Sequence, residues 1–325
     1  MQRRDFLMAG AAALATPLAS ASVAELPKGQ IKILVGWAPG GGTDVFARIV
    51  GQKLTEMWGR SVIVENKPGA TGALAADYFA KTKFTDGINL LMAHVNTHAI
   101  SPHIFKSITY DPLKDYAPIT LIGATPHILV TSTKNSYRSV KDVVELCKKN
   151  PGKISFGSSG AGSVQHLAAA MFNMAAGVDS LHIPYKGSGP MQTDLIGGQI
   201  DFSFDTMGAA ASQVKSGKVI GIAQTRVKRA KGFPDMPTMD EAGFKGFDAS
   251  SWYGLVGPKD MSKELAQRIN ADVNKVLAMP DVIARFDTLG AEDGGGSVDK
   301  FAAFMAEEYK KWGAVVRTAK ITEEG

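Results

Sequence analysis

The stretch Ile31-Lys32-Ile33-Leu34-Val35-Gly36-Trp37-Ala38-Pro39-Gly40-Gly41-Gly42-Thr43-Asp44 decides the fold. Its first five residues are a short apolar run of strand type, and its end is a turn of glycines and small polar residues. Directly after it, Val45, Phe46, Ile49, Val50, Leu54, Met57 and Trp58 recur at i, i+3 and i+4, the spacing of an amphipathic helix. A strand running through a glycine turn into a helix opens a βαβ unit. The rhythm continues with a strand at 61–65, a helix at 73–81 and a strand at 89–93. This order predicts a mostly parallel sheet covered by helices.

Further along the pattern returns. Strands are expected at 128–131, 154–156, 181–183, 200–204 and 219–223. Helices are expected between them at 139–149, with Ser139 as N-cap, and at 164–174, 191–196 and 209–215. The C-terminal part reads as three helices, 262–278, 281–289 and 299–319. Two extended segments, 119–123 and 247–256, are placed to connect the two α/β groups. If both cross over, the two ends of the chain share one lobe and the middle forms another.

A chain of 325 residues has room for two ordinary domains. With 45% hydrophobic and 21% charged residues it belongs among folded rather than disordered proteins. The excess of basic residues, 36 − 31 = 5, is spread along the chain and is no nucleic-acid footprint. The first two dozen residues stand apart. Gln2-Arg3-Arg4-Asp5-Phe6-Leu7 precedes an Ala-rich apolar run at 8–18, then small-x-small sites at Ala19-Ser20-Ala21 and Ser22-Val23-Ala24. Residues 1–24 therefore read as an export signal, its apolar run too short to span a bilayer. The Arg pair with Phe6-Leu7 suits the twin-arginine route, with Sec export as the alternative. The sole cysteine, Cys147, shares a helical face with Val140, Val143 and Val144 and reads as a small buried hydrophobe.

Chemistry is expected in the strand-to-helix loops. In the first, 38–44, three glycines let the backbone approach a ligand, and the N–H groups and dipole of the following helix favour a carboxylate or phosphate. It is not a dinucleotide fingerprint, because Val45 occupies the third glycine position, and no Gly-Lys-Ser/Thr follows for a Walker A loop. The alternative is a plain turn capped by Thr43. The second loop, Gly157-Ser158-Ser159-Gly160-Ala161-Gly162-Ser163, offers hydroxyl donors. It fails the nucleophile-elbow pattern, since the window centred on Ser159 ends in Ala161, and His166 reads as a loop-orienting residue. The third and fourth are 184–190, containing Tyr185, and Asp205-Thr206-Met207-Gly208. Ligands of open α/β sheets bind at the carboxyl ends of strands, so loops from two lobes facing one another make a cleft. His94 and His98 have i, i+4 spacing, but with no acidic residue between them and Pro102 following they predict no zinc site. The run Arg226, Lys228, Arg229 and Lys231 reads as a solvated loop.

These pieces occur in an order that resembles, almost end to end, the solute receptors of tripartite tricarboxylate transporters, the Bug-type receptors. The matching stretches are Ala38-Pro39-Gly40-Gly41 with Thr43-Asp44 and Ala47-Arg48, Val64 to Ala70 with Gly72, and Tyr110-Asp111-Pro112 with Lys114-Asp115. Gly157-Ser158-Ser159-Gly160, His166-Leu167, Pro184-Tyr185-Lys186-Gly187, Asp194-Leu195, Gly197-Gly198, Pro237-Thr238 and Glu241-Ala242-Gly243 follow. The resemblance implies an α/β periplasmic-binding-protein fold of two lobes, 25–122 with 251–325 and 123–250, joined by two crossovers around a cleft. It implies a periplasmic monomer that passes a small organic carboxylate to a two-subunit membrane permease. No cofactor, metal or nucleic-acid partner is implied.

The ligand residues so expected are Trp37, Ala38, Gly41, Gly42, Thr43, Asp44 and Asn96 from lobe one. From lobe two come Ser158, Ser159, Ser163, Tyr185, Asp205 and Thr206. Gly36-Trp37 departs from a Pro-Phe common in relatives, which leaves dicarboxylates, aromatic acids and acidic amino acids as ligand classes. The alternative, a hydrolase or transferase on a similar fold, lacks a nucleophile–base–acid set and a cofactor fingerprint.

Overall fold

The computed structural model describes residues 25–322, so the expected export signal lies outside the described residues. The chain runs β1 (Ile31–Val35), α1 (Gly42–Trp58), β2 (Val62–Asn66), α2 (Ala73–Lys81), β3 (Ile88–His94), a π turn (Asn96–Ile100) leading into α3 (Ser101–Ile104), β4 (Tyr116–Thr125) and β5 (His127–Ser132). It continues through α4 (Val140–Lys149), β6 (Ser155–Ser158), α5 (Val164–Ala176), β7 (Leu181–Pro184), α6 (Ser188–Gly197), β8 (Phe202–Thr206), α7 (Met207–Lys215) and β9 (Val219–Gln224). The last part is β10 (Ser251–Pro258), α8 (Lys263–Leu277), α9 (Pro280–Thr288) and α10 (Val298–Thr318).

Two five-stranded sheets result, ordered β2-β1-β3-β10-β4 and β7-β6-β8-β5-β9. The first three strands of sheet one are parallel, as the βαβαβ pattern predicts, and β2 shows its edge position by alternation: Val62 and Val64 face the core while Ile63 and Glu65 are exposed. The segments 119–123 and 247–256 belong largely to strands. Residues 119–123 lie inside β4, and most of the second segment is β10, an antiparallel strand inserted between β3 and β4. Among the described residues the chain changes sheet between Thr125 and His127 and again before Ser251, within the second of these segments.

This topology sets where a ligand can go. β4 ends and β10 begins beside the carboxyl ends of β1 and β3, because β10 is antiparallel to both its neighbours. In the second sheet β5 starts opposite Thr206, the last residue of β8, and β8 is parallel to β6, itself parallel to β7. The strand-to-helix loops of both lobes therefore flank the crossovers and face one another.

One hydrophobic cluster packs α1, α8 and α9 on sheet one through Phe46, Leu54, Ile269, Val273 and Phe286. A second packs α6 and α7 on sheet two through Met191, Leu195 and Met207. The largest joins the lobes: Leu129, Phe172 and Phe204 share it with Phe247, Ala249, Trp252 and Trp312. Cys147 is buried within it, and burial pushes its thiol up to about 11, an inert group. The α10 carboxylate of Glu308 lies inside this core, where one oxygen accepts the indole N–H groups of Trp252 (3.1 Å) and Trp312 (2.9 Å). Glu308→Ala leaves two buried donors unpaired at about 1–3 kcal/mol each. A loss of roughly 2–5 kcal/mol in urea unfolding is the expected result, and an unchanged midpoint would remove the bridge from the account of stability.

The basic run at 226–231 departs from expectation at one residue. Arg226 is nearly buried, with a side chain 12% exposed, and pairs with Glu292 (3.4 Å) and Asp293 of the other lobe. Arg229 pairs with Glu241 (2.9 Å) and Lys231 with Asp287 (3.7 Å). Lys228, Arg229 and Lys231 are exposed, as expected of a solvated loop, and Arg226 alone departs from it because Glu292 and Asp293 lie far away in sequence.

Candidate ligand-binding cleft

Helix α1 begins unusually. Its N-cap is Gly41, without a side-chain cap, so the N–H groups of Gly42, Thr43 and Asp44 are left to another partner. The first intrahelical-type bond is from Val45 N–H to the Gly41 carbonyl, 3.0 Å. By contrast α4, α5, α8 and α10 open on serine side-chain caps, Ser139 forming a full capping box with Asp142. The cap by Thr43 that a plain turn would have is not formed. Its hydroxyl has no partner among the described residues, although the residue is 5% exposed.

The loop is held by the carboxylate of Asp44. One oxygen accepts the Gly40 N–H and the Arg48 guanidinium, both at 2.9 Å; the other accepts the Asn66 amide at 2.8 Å. The same amide donates to the Trp37 carbonyl at 2.9 Å, and Arg48 donates to the Asn66 oxygen. Burial would raise the Asp44 pKa, but these donors, with Arg48 foremost, hold it below its ordinary value. Asp44 therefore offers a ligand its backbone N–H, while its side chain shapes the loop. Asn66, which sequence reasoning gave no role, completes the frame. Its motif Glu65-Asn66-Lys67-Pro68-Gly69 was the available signal.

Ala38 and Gly41 are exposed on the loop, and Trp37 is half-buried behind it. Gly42 is closely fitted: a Cβ there would stand 2.9 Å from the Tyr253 hydroxyl. Asn96, in the π turn after β3, reaches the opposite lobe and donates to the Gly162 carbonyl at 2.9 Å.

In lobe two a second buried carboxylate plays the organising part. Asp205, 1% exposed, accepts the amides of Gln165 (2.7 Å) and Gln192 (2.6 Å) and the Thr206 N–H (2.9 Å). Burial raises its pKa, with those donors opposing. Gln165 also accepts the Ser159 N–H at 2.7 Å and donates to Ser188 at 2.9 Å, so one amide ties three loops together. Neither glutamine was singled out from the sequence, since α5 and α6 meet Asp205 only in the fold.

The other expected residues divide clearly. Ser159 and Thr206 keep hydroxyls without partners among the described residues. Ser158 is fully buried, its hydroxyl donating to the Gly160 carbonyl (3.0 Å) and meeting His182 Nε2 at 2.6 Å. Ser163 caps α5 by accepting the His166 N–H, and the Tyr185 hydroxyl donates to Asp194 at 2.8 Å. Helices α6 and α7, like α1, start without side-chain caps. Hollows of about 470 and 290 Å³ elsewhere on the surface contain none of these loop residues. Among the described residues no three His, Cys, Asp or Glu side chains gather as metal ligands.

Two α/β lobes joined by two crossovers, with donor-rich loops opposed across the junction, define a solute-binding protein. The tripartite tricarboxylate transporter family receptor pattern matches residues 46–321, and the chain belongs to that family. The protein BugT of Bordetella pertussis is 33% identical to it over 90% of this chain and 89% of its own. Among solved structures, R. palustris Rpa4515 with adipate superposes with a TM-score of 0.83 at 30% identity, covering 90% of this chain and 98% of its own. The periplasmic binding protein BugD gives 0.79 at 32% identity, covering 91% and 99%. MatC from Rhodopseudomonas palustris with bound malate gives 0.77 at 28% identity, covering 88% and 98%. The family consists of receptors rather than enzymes, and no helix among the described residues is long and apolar enough to cross a membrane.

Proposed function

We propose that this chain is a periplasmic receptor that captures a small organic carboxylate in the cleft and delivers it, as a monomer, to a two-subunit permease. One observation carries the ligand class: the uncapped start of α1, where the N–H groups of Gly42, Thr43 and Asp44 stand beside an unpartnered Thr43 hydroxyl. Ser159 and Thr206 close on the ligand from lobe two, while Asp44, Ser158, Ser163, Tyr185 and Asp205 hold the loops in place. Hydrogen bonds to a charged group contribute roughly 1.5–3 kcal/mol each, so three or four support micromolar binding, about −8 kcal/mol, after association and closure costs. The ligand favours the closed state by touching both lobes. Carboxylates bound by similar receptors, adipate and malate, support this reading. Lobe one comprises residues 25–122 and 251–325 and lobe two residues 123–250. The division is supported by the change of sheet, which falls just after Thr125, three residues beyond the first boundary, and just before Ser251.

The test is calorimetry of the mature protein with adipate, malate, benzoate and glutamate. Micromolar binding with intact ligand recovered is expected. Chemical conversion of the ligand would instead support a hydrolase or transferase.

Arg3 and Arg4 direct export by the twin-arginine route, with the signal removed after Ala21 or Ala24. N-terminal sequencing of the exported protein is expected to begin at Ser22 or Glu25. A cytoplasmic product still starting at Met1 would contradict it.

A further inference from the structure

Beside the α1 loop stands a wall that the family frame does not require. Trp37 leads from β1 into the glycine loop. Its ring meets His94 edge-on, with centroids 4.7 Å apart and planes at 64°. His94 lies 5.2 Å from Tyr253, its cross-strand partner in the β3–β10 register. The Tyr253 hydroxyl in turn fits against Gly42, the first residue of α1. The wall is thus continuous from Trp37 to the uncapped helix start. Room for the indole comes from Gly72, where a Cβ would stand 2.6 Å from the Trp37 ring.

Hydrogen bonding fixes what His94 offers. Its Nδ1 accepts the Asn96 N–H at 3.1 Å, so in the neutral ring the proton sits on Nε2. Burial, with His127 and His98 nearby, lowers the pKa to about 3 and keeps the ring neutral. Nε2 has no partner among the described residues, although His94 is only 8% exposed. The wall therefore supplies aromatic surface and one neutral donor. It supplies no cation: Arg48 is committed to Asp44 and Asn66. Across the cleft the organising group is the buried carboxyl of Asp205, its oxygens taken by Gln165, Gln192 and the Thr206 N–H, and it offers no positive charge to a second ligand carboxylate.

We propose that Trp37, His94 and Tyr253 make this receptor selective for an aromatic monocarboxylate. Its carboxylate sits at the start of α1 and accepts the His94 Nε2–H, and its ring packs on Trp37. This rests on the receptor reading above and names its ligand class.

Calorimetry with benzoate, adipate and malate tests it on the mature protein and on Trp37→Ala, Trp37→Leu and His94→Phe. Wild type is expected to bind benzoate at least tenfold more tightly than either dicarboxylate. Trp37→Ala should cost benzoate tenfold or more and the dicarboxylates less than threefold. Trp37→Leu keeps apolar packing over Gly72 and serves if the alanine variant is unstable. His94→Phe keeps a ring but removes the donor, and should weaken benzoate about tenfold. Tighter binding of adipate or malate by wild type would overturn the aromatic preference and leave the receptor standing. So would an equal loss for all ligands in folded Trp37 variants. Binding of none of the three would overturn both.

Discussion

Gly41→Val is expected to abolish carboxylate binding, a loss of at least a hundredfold, while the protein folds as before. The position accepts a side chain. Its φ of −75° and ψ of 165° are extended backbone open to any residue, and the nearest atom to an added Cβ is the Ala38 carbonyl oxygen at 3.6 Å. The isopropyl group instead stands over the N–H groups of Gly42, Thr43 and Asp44. Losing two charge-assisted hydrogen bonds removes about 3–6 kcal/mol, a factor of a hundred or more. Gly42→Val is the contrasting variant, since its Cβ collides with the Tyr253 hydroxyl and lowers stability too. Ser159→Ala, losing one hydroxyl, should cost only about tenfold, ~1.4 kcal/mol. Calorimetry alongside thermal melting separates these cases. A folded Gly41→Val protein with normal affinity would move the carboxylate away from α1.

Steep acid unfolding is the second large effect expected, because all six histidines have pKa values below the ordinary value. Burial is the first cause in each. His94, His98 and His166 fall to about 3 and His127 and His182 to about 4. His166 and His182 are stacked at 3.8 Å, so protonating one disfavours protonating the other. A depressed base binds protons more readily when unfolded. The stability it contributes is whole above pH 6.5 and is lost as pH falls toward 3 or 4. At pH 5 each of the buried rings His94, His98, His127 and His166 costs on the order of 2 kcal/mol. Several such costs are a large fraction of the total stability of an ordinary domain, about 5–15 kcal/mol. Calorimetric melting from pH 7.5 to 4 should show a steep fall in Tm below pH 6.5. A flat profile down to pH 5 would mean that the rings protonate in place.

Local patterns carried most of the fold. The β1–loop–α1 stretch, the alternation of β2 and the Ser139 cap are each written in a few adjacent residues, and the structure contains all three. What escaped was non-local. β10 pairs with β4 across 126 residues, as between Ser251 and Thr125, and no local period marks an antiparallel strand inserted into a parallel sheet. The site divides the same way. Glycines before a helix announced the α1 loop, but the ties made by Asn66, Gln165 and Gln192 depend on which elements meet. His94 was weighed only for metal spacing. Its neighbour Tyr253 follows from the register of β3 with β10, Trp37 from the end of β1 beside β3, and the proton on Nε2 from the Asn96 N–H bonded to Nδ1.

The interleaving of β10 also dictates an order of assembly. Sheet two uses strands that follow one another between residues 127 and 224, so its pairings can form as soon as that stretch is complete. Sheet one cannot close until residues 251–258 arrive, and until then β3 and β4 each present an unpaired edge. Closing it means joining segments separated by the whole of lobe two, the kind of long-range contact that slows folding. The lobe bearing the uncapped α1 loop is therefore the last to mature. A receptor truncated before β10 would present bare strand edges to its neighbours, a ready route to aggregation.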